Sequence, residues 1–301
     1  MMVNVVEVIL VPALMILVGV LLKRFNVLRE EHSSVLSKIV LNISLPSLIF
    51  MNIATAHIGG NMLYLPVFSF GLSFICVIIG YVYSKLRGYS KVKTWTVIIL
   101  LSMMNTAFVG YPIVLGVFGN EGFLHAIFYD MAVAILFVIY GVVLSSVFGG
   151  NRRDVLVSGL LFVPLWAIVF GVLFNFFNVP LGYVFENVLT YLGNSTIPLI
   201  MLSLGLTISV KDLRSYLSDT VFISVVRLIV APLILFVILS SLNFDGLMLQ
   251  VSVLEAAMPT AMNALVLAIT YDLDVELVSS VVFITTILCL FTLPLIIGVI
   301  I

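Results

Sequence analysis

Glu255, Pro259, Thr260 and Asn263 stand within the stretch Leu254 to Ala264, reading LEAAMPTAMNA. The stretch lies near the middle of an apolar segment, Gly246 to Ile269, long enough to cross a membrane. Proline has no N–H and interrupts a helical ladder. In hydrocarbon, the freed backbone groups are tolerated only where protein buries them or a wet cavity solvates them. Glu255 precedes Pro259 by four positions, about one helical turn, which would set its carboxylate near the carbonyls freed by the break. A carboxylate with freed carbonyls is a hard-oxygen site for a cation, and a lone buried carboxylate can instead carry a proton. Asn105-Thr106-Ala107-Phe108-Val109-Gly110-Tyr111-Pro112 is a second stretch of this kind. It sets an amide and a hydroxyl beside a glycine and a proline that loosen the helix. Half-helix N-termini at two such breaks would present N–H groups and positive dipole ends to an anion. Asn105, Thr106, Pro259, Thr260, Asn263 and the more distant Pro46 are therefore the candidate substrate-binding residues, and Gly110, Pro112 and Pro259 the candidate helix breaks.

Each of these residues also has a plainer role. Glycine and proline are ordinary in membrane helices, and a buried asparagine can simply hold helices together, for about 0.6–2 kcal/mol. Pro46 and Pro198 would bend helices. Arg227 and Glu255 weigh more, because a charge near the bilayer centre costs about 2.5–3.5 kcal/mol even on insertion scales and must face partners or water. A mutual salt bridge would satisfy both. Alternatively, Glu255 carries a coupling cation or proton and Arg227 has a structural or anion-attracting role. Asp130 is a further coupling candidate, and Glu7, at the end of the first span, reads as interfacial. His32, His57 and His125 lie in or near links and form no metal-ligand spacing. There is no HExxH, GxSxG or P-loop sequence, and no convincing nucleophile with a base, so an enzyme is not expected. No cofactor or metal is expected beyond a coupling ion, a sodium ion or a proton, at Glu255.

The chain that must position these residues has 301 of them, 63% hydrophobic and only 9% charged, so the bilayer is its solvent. A net charge of −1 excludes a nucleic-acid footprint. Cys76 and Cys289 fall in apolar spans and read as packed thiols. The first apolar run has no preceding Lys or Arg and is of spanning length, which reads as a retained helix rather than a cleaved signal. Ten spans are predicted: Val5–Leu22, Val35–Ile53, Met62–Tyr83, Thr94–Phe118, Phe123–Phe148, Val155–Phe177, Val188–Ser209, Thr220–Leu242, Gly246–Ile269 and Val275–Ile301. Basic residues flank or occupy alternate links: Lys23, Arg24, Arg29 and Lys38; Lys85, Arg87, Lys91 and Lys93; Arg152 and Arg153; Lys211 and Arg214. By the positive-inside rule these links are cytoplasmic and both termini external.

A repeat runs at an offset of 152 residues. Pro12 and Gly19 align with Pro164 and Gly171, Phe25-Asn26-Val27 with Phe177-Asn178-Val179, Asn42 with Asn194, Pro46 with Pro198 and Thr55 with Thr207. The units 1–149 and 154–301 each hold five spans, an odd number, so they must insert with opposite orientation. Inverted repeats with a site at their interface are a design of secondary transporters.

At this point the chain resembles the auxin efflux carrier family, within the wider superfamily of bile-acid and auxin carriers. The residues that carry the resemblance are Asn105-Thr106, Gly110 and Pro112 in span 4 and Ala257-Met258-Pro259 in span 9. Leu45-Pro46 and Ser203-Leu204-Gly205-Leu206 support them. The resemblance covers nearly the whole chain. It implies a scaffold domain and a transport domain, with spans 4 and 9 crossing at their breaks to cradle an organic carboxylate. Plant members have proline before the span 4 asparagine and glutamine after the span 9 proline; here these are Met104 and Thr260. The central link is only about Gly149 to Asp154, as in short prokaryotic-type members, so auxin is a poor candidate substrate.

The reading is thus an all-α polytopic membrane protein of ten spans in two inverted five-helix repeats, with helices 4 and 9 broken and crossing. Its expected work is secondary transport of a small organic anion by alternating access. A sodium-coupled symporter of the bile-acid-carrier type is the alternative, and a channel or receptor a more distant one. The expected partners are the anion and the lipid bilayer, with no nucleic acid; family analogy suggests a homodimer through scaffold helices.

Overall fold

The computed structural model describes residues 5–150, 152–207 and 216–301. Lys211 and Arg214 of the seventh link, and Ser209 at the end of the seventh span, lie outside them. Among the described residues the α-helices are α1 (Val5–Arg24), α2 (His32–Ile39), α3 (Leu45–Ala54), α4 (Tyr64–Leu86), α5 (Lys91–Ser102), α6 (Tyr111–Phe148), α7 (Arg152–Leu160), α8 (Val163–Phe176), α9 (Tyr183–Asn194), α10 (Thr196–Thr207), α11 (Leu217–Val225), α12 (Ala231–Ser241), α13 (Gly246–Ala256), α14 (Asn263–Thr270) and α15 (Val275–Ile300). The described residues hold no strand, only an isolated antiparallel bridge between Met104 and Thr260.

Proline placement explains several boundaries. The ladder widens to π geometry over Val40–Ser44, Thr106–Gly110 and Val226–Val230. Each widened turn runs into a helix with proline in its first turn: Pro46 in α3, Pro112 in α6 and Pro232 in α12. A proline removes the N–H that would bond four residues back and crowds that carbonyl, so the ladder opens by a residue. Within α6, Gly119 has φ 65 and ψ −160, a conformation only glycine adopts readily, and the chain turns there.

Among the described residues, six helical stretches are long and apolar enough to cross a membrane by length and composition: His32–Ala54, Gly60–Leu86, Thr106–Phe148, Tyr183–Thr207, Leu217–Ser241 and Val275–Ile300. The predicted fourth and ninth spans do not qualify as single helices because both are cut: α5 has 12 residues, α13 has 11 and α14 has 8. Large apolar side chains such as Val11, Leu14, Phe74, Val237, Phe291 and Leu295 are exposed. Such a surface suits lipid and would aggregate in water.

The chain divides into two units, each drawn from both halves of the sequence: Met1–Gly60, Tyr111–Ile127 and Leu161–Ser209 in the first, Asn61–Gly110, Phe128–Leu160 and Val210–Ile301 in the second. In the first unit, α1 packs on α10 and α8 on α3. A Cβ on Gly19 would meet Leu202 O at 2.5 Å and Gly205 Cα at 2.9 Å; one on Gly171 would meet Ile53 Cβ at 2.9 Å and Phe50 O at 3.4 Å. The offset of 152 relates Gly19 to Gly171, Phe50 to Leu202 and Ile53 to Gly205. The two close approaches are therefore equivalent by sequence register. Asn175 binds the end of α3, donating to Ile53 O at 2.9 Å and Ala56 O at 2.7 Å. Pro46, expected among the substrate residues, belongs to this unit. With Asn42, Phe50, Trp166, Phe170 and Phe185 it lines an open, mostly apolar cavity of about 480 Å³.

The second unit holds α4, α5, α7 and α11–α15 with the later part of α6. Its link between α4 and α5 is tied to α11 through buried Asp219, which accepts from Lys93 Nζ at 2.7 Å, from Tyr83 Oη at 2.9 Å and from Tyr89 Oη. Partial burial disfavours the Lys93 charge, but the hydrogen bond and charge of Asp219 outweigh it and hold the amine above the ordinary lysine range.

Candidate functional site

The two interrupted spans cross in the second unit. The first ladder stops at Ser102, where Met103 turns extended with φ −98 and ψ 115. The second stops at Ala256 and resumes at Asn263. Between these ends the extended segments run antiparallel. Asn105 N donates to Pro259 O at 2.8 Å and Ala261 N donates to Met103 O at 3.0 Å. Backbone groups freed by one break thus satisfy those freed by the other, as a dry interior requires. The breaks do not fall where the proline rule alone would set them. Gly110 closes the π turn and Pro112 sits in the first turn of α6, both after the break, while Pro259 lies inside the second break.

Arg227 secures the crossing from the side of the two helix C-termini. Its guanidinium donates to Leu101 O at 3.2 Å, Ala256 O at 2.9 Å and Met258 O at 3.0 Å, with Cys76 Sγ at 3.9 Å. It is fully buried. Leu101 and Ala256 belong to the last turns of α5 and α13, where the helix dipoles present their negative ends, and Met258 lies just past α13. One cation therefore holds both half-helices by their orphaned carbonyls. No ion pair joins it to Glu255, so the salt bridge considered from sequence is not formed: acidic partners within 4.0 Å are absent among the described residues.

Glu255 points elsewhere. A Cβ built on Gly110 would fall 2.2 Å from its Oε2 and 2.7 Å from its Oε1, so the carboxylate lies directly against the backbone of the π turn in the crossing helix. Glu255 is fully buried, and neither oxygen has a protein hydrogen-bond partner. It was expected beside carbonyls freed by the break; of these, Ala256 O and Met258 O accept from Arg227.

The other candidates divide by what their polar atoms do. Asn105 is buried and its Nδ2 has no protein acceptor. Thr106 Oγ1 donates to Asp130 Oδ1. Asp130 is near enough to Glu255 for the two charges to act on each other. Thr260 is committed to structure: its Oγ1 donates to Leu100 O at 3.0 Å and its N donates to Thr285 Oγ1 at 3.3 Å. Asn263 is half-buried and opens α14, whose N-terminus has no side-chain cap. The crossing thus brings together Asn105, Thr106, Gly110, Asp130, Glu255, Pro259 and Thr260. Thr285 and Tyr129, whose hydroxyl donates to Met104 Sδ at 3.7 Å, were not singled out from sequence. Polar Thr285-Thr286 in the apolar run of α15 was the available sign.

A helical chain with an apolar exterior and two interrupted helices joined at their breaks has the build of a membrane transporter, and comparison with known proteins agrees. A family model described as membrane transport protein matches residues 1–153 and 151–297. The chain belongs to this family, that of the auxin efflux carriers. It is 41% identical over 291 residues to an uncharacterised transporter of Methanothermobacter thermautotrophicus, covering 96% of each chain. It is 36% identical over 289 residues to an uncharacterised transporter of Methanocaldococcus jannaschii, covering 93% of this chain and 94% of that one. A Rhizobium meliloti protein named "Putative malonate transporter" is 27% identical over 108 residues, 36% of this chain and 34% of that one. The family and these relatives are transporters, not enzymes.

Proposed function

We propose that the protein is a secondary active transporter of a small organic anion, a carboxylate, bound where the two broken helices cross. The observation that carries this reading is the crossing itself, which holds a buried amide donor, Asn105 Nδ2, and a buried carboxylate, Glu255, that no protein group satisfies. Asn105 supplies a directional donor, and the uncapped start of α14 adds N–H groups and a positive dipole end. Coupling runs through Glu255, with Asp130 beside it, because neutralising a carboxylate there offsets the charge of an incoming anion. Arg227 is the structural charge of the site.

The larger architecture supports alternating access. We read the chain as ten spans in two inverted repeats with both termini outside; spans 4 and 9 are the broken pair. The register-equivalent contacts of Gly19 and Gly171 support the repeat, and the division into two units, each taking segments from both halves, supports a scaffold and a moving unit. The test is counterflow in proteoliposomes loaded with candidate carboxylates, malonate among the first because a relative bears its name. Saturable uptake with counterflow is expected. Ion conductance without saturation would make the protein a channel and defeat the reading.

A further inference from the structure

Resting on the transport reading above, we infer that the coupling ion is a proton carried by Glu255, and that Arg227 occupies the place a metal cation would need. A sodium ion at the crossing would need several oxygen atoms, and a broken helix offers them as freed carbonyls. Here seven carbonyls around the two breaks are already engaged. Leu101 O, Ala256 O and Met258 O accept from the Arg227 guanidinium. Met103 O and Pro259 O accept from the facing backbone, Leu100 O accepts from Thr260, and Asn105 O accepts from Val109 N and Gly110 N. A fixed positive charge on three of the carbonyls also repels any second cation brought to them. A tethered guanidinium fills the part of an ion.

Glu255 is left without either kind of compensation. It is fully buried, no donor reaches its oxygens, and they lie against the Cα of Gly110. An ionised carboxylate so placed is costly in a dry interior. The species that neutralises it must be small enough to sit against Gly110 and must need no further oxygen ligands. A proton meets both conditions. Protonated, Glu255 becomes a hydrogen-bond donor. With Asn105 Nδ2 it would then offer the donors that one substrate carboxylate accepts, so proton and anion load together.

Among the titratable groups of the neighbouring elements, Asp130 is a second carboxylate at the crossing. The turn Thr106–Gly110 and α12 carry no titratable residue. On α4, Cys76 touches Arg227 and the remaining groups, Tyr64, Tyr81, Tyr83 and Lys85, lie toward its ends. On α15, Cys289 donates to Thr286 O at 3.0 Å and Glu276 accepts from Tyr216. On α6, Tyr111 packs edge-on to Phe123, His125 Nδ1 pairs with the backbone oxygen of Glu121, Tyr140 shares a hydrogen bond with Ser102, Tyr129 donates to Met104 and Asp130 accepts from Thr106.

Two measurements on the full chain test this. In proteoliposomes with the membrane potential clamped at zero, labelled malonate is followed under an imposed pH or sodium gradient. One pH unit is worth about 1.4 kcal/mol per proton, so one proton per anion sustains about tenfold accumulation. That accumulation is expected under a pH gradient and not under a sodium gradient. Glu255→Gln should abolish it. Accumulation driven by sodium, or pH-driven accumulation surviving in Glu255→Gln, overturns the inference. The second readout needs no substrate: infrared difference spectra of the detergent-solubilised protein, taken across a pH step, should show the C=O band of a protonated carboxyl that Glu255→Gln removes. Its persistence in Glu255→Gln, or its displacement by sodium at fixed pH, also overturns the inference. Failure of malonate and the other screened carboxylates to show counterflow would instead count against the transport reading, and the infrared result would still decide the proton site.

Discussion

Among single residues, the buried polar atoms separate into those the protein satisfies and those it leaves for something else, and substitutions should follow that division. Arg227 belongs to the first group through its two Nη atoms, while its Nε has no protein partner. Replacing it with Met strands three buried carbonyls, each worth about 1–3 kcal/mol when left unpaired. Arg227→Met should therefore lower the detergent melting temperature sharply, and Arg227→Lys should recover only part of the loss, because a single ammonium lacks the planar fork that reaches three acceptors. A melting temperature unchanged in Arg227→Met would show that the carbonyls find other partners. Thr260 and Asn105 make a matched contrast. Thr260→Val removes the donor to Leu100 O and should cost about 1–3 kcal/mol of stability. Asn105→Ala removes an amide nitrogen with no protein acceptor, so stability should change by about 1 kcal/mol or less while malonate affinity falls. Thermal melting and counterflow on the two variants check this, and equal stability losses would mean Asn105 is glue. The identity of these residues was legible in the sequence, since a charge or an amide in an apolar span must face a partner. Their partners were not. Arg227 and Thr260 both bond to backbone carbonyls, which every residue has, so no side-chain pattern could announce them.

For the elements, the sequence showed that spans 4 and 9 are interrupted but misplaced one interruption. Gly110 and Pro112 drew attention to the later part of span 4, whereas the helix stops at Ser102 and the chain is extended at Met103. The physical reason is that proline is well tolerated in the first turn of a helix. Pro112 marks where α6 begins, as Pro46 and Pro232 mark the starts of α3 and α12. Pro259 differs, since it lies inside the extended segment and its carbonyl accepts from Asn105 N. Pro259→Ala restores an N–H and permits the helix from Gly246 to continue past Ala256. Continuation would pull Pro259 O out of the antiparallel bridge and leave Asn105 N without its acceptor. Transport should fall by more than thermal stability does. Wild-type counterflow in Pro259→Ala would show that the bridge does not depend on the proline.

At the scale of the whole molecule, the odd number of predicted spans per repeat and the alternation of basic links make two claims that can be checked apart. The topology claim sets the link around Arg153 inside. A cysteine introduced there, in a background with Cys76 and Cys289 replaced by serine, should resist an impermeant maleimide in intact cells and react after permeabilisation; labelling from outside reverses the orientation. The second claim is that the first unit moves as one body. Its helices are joined across the repeat by close backbone approaches at Gly19 and Gly171, and by Ser44 Oγ to Ser195 Oγ at 2.8 Å. Two side chains that touch at their γ atoms, both within this unit, are candidates for a disulfide, whose Cβ atoms must lie about 3.5–4.5 Å apart. In the serine background, Ser44→Cys with Ser195→Cys should oxidise to a cross-link and leave counterflow near its reduced value. A rigid scaffold is indifferent to a bond between parts that never separate. If the segments that carry Ser44 and Ser195 instead slide past one another during the cycle, oxidation should stop transport and reduction should restore it. That result would move the working motion into the first unit and away from the crossing.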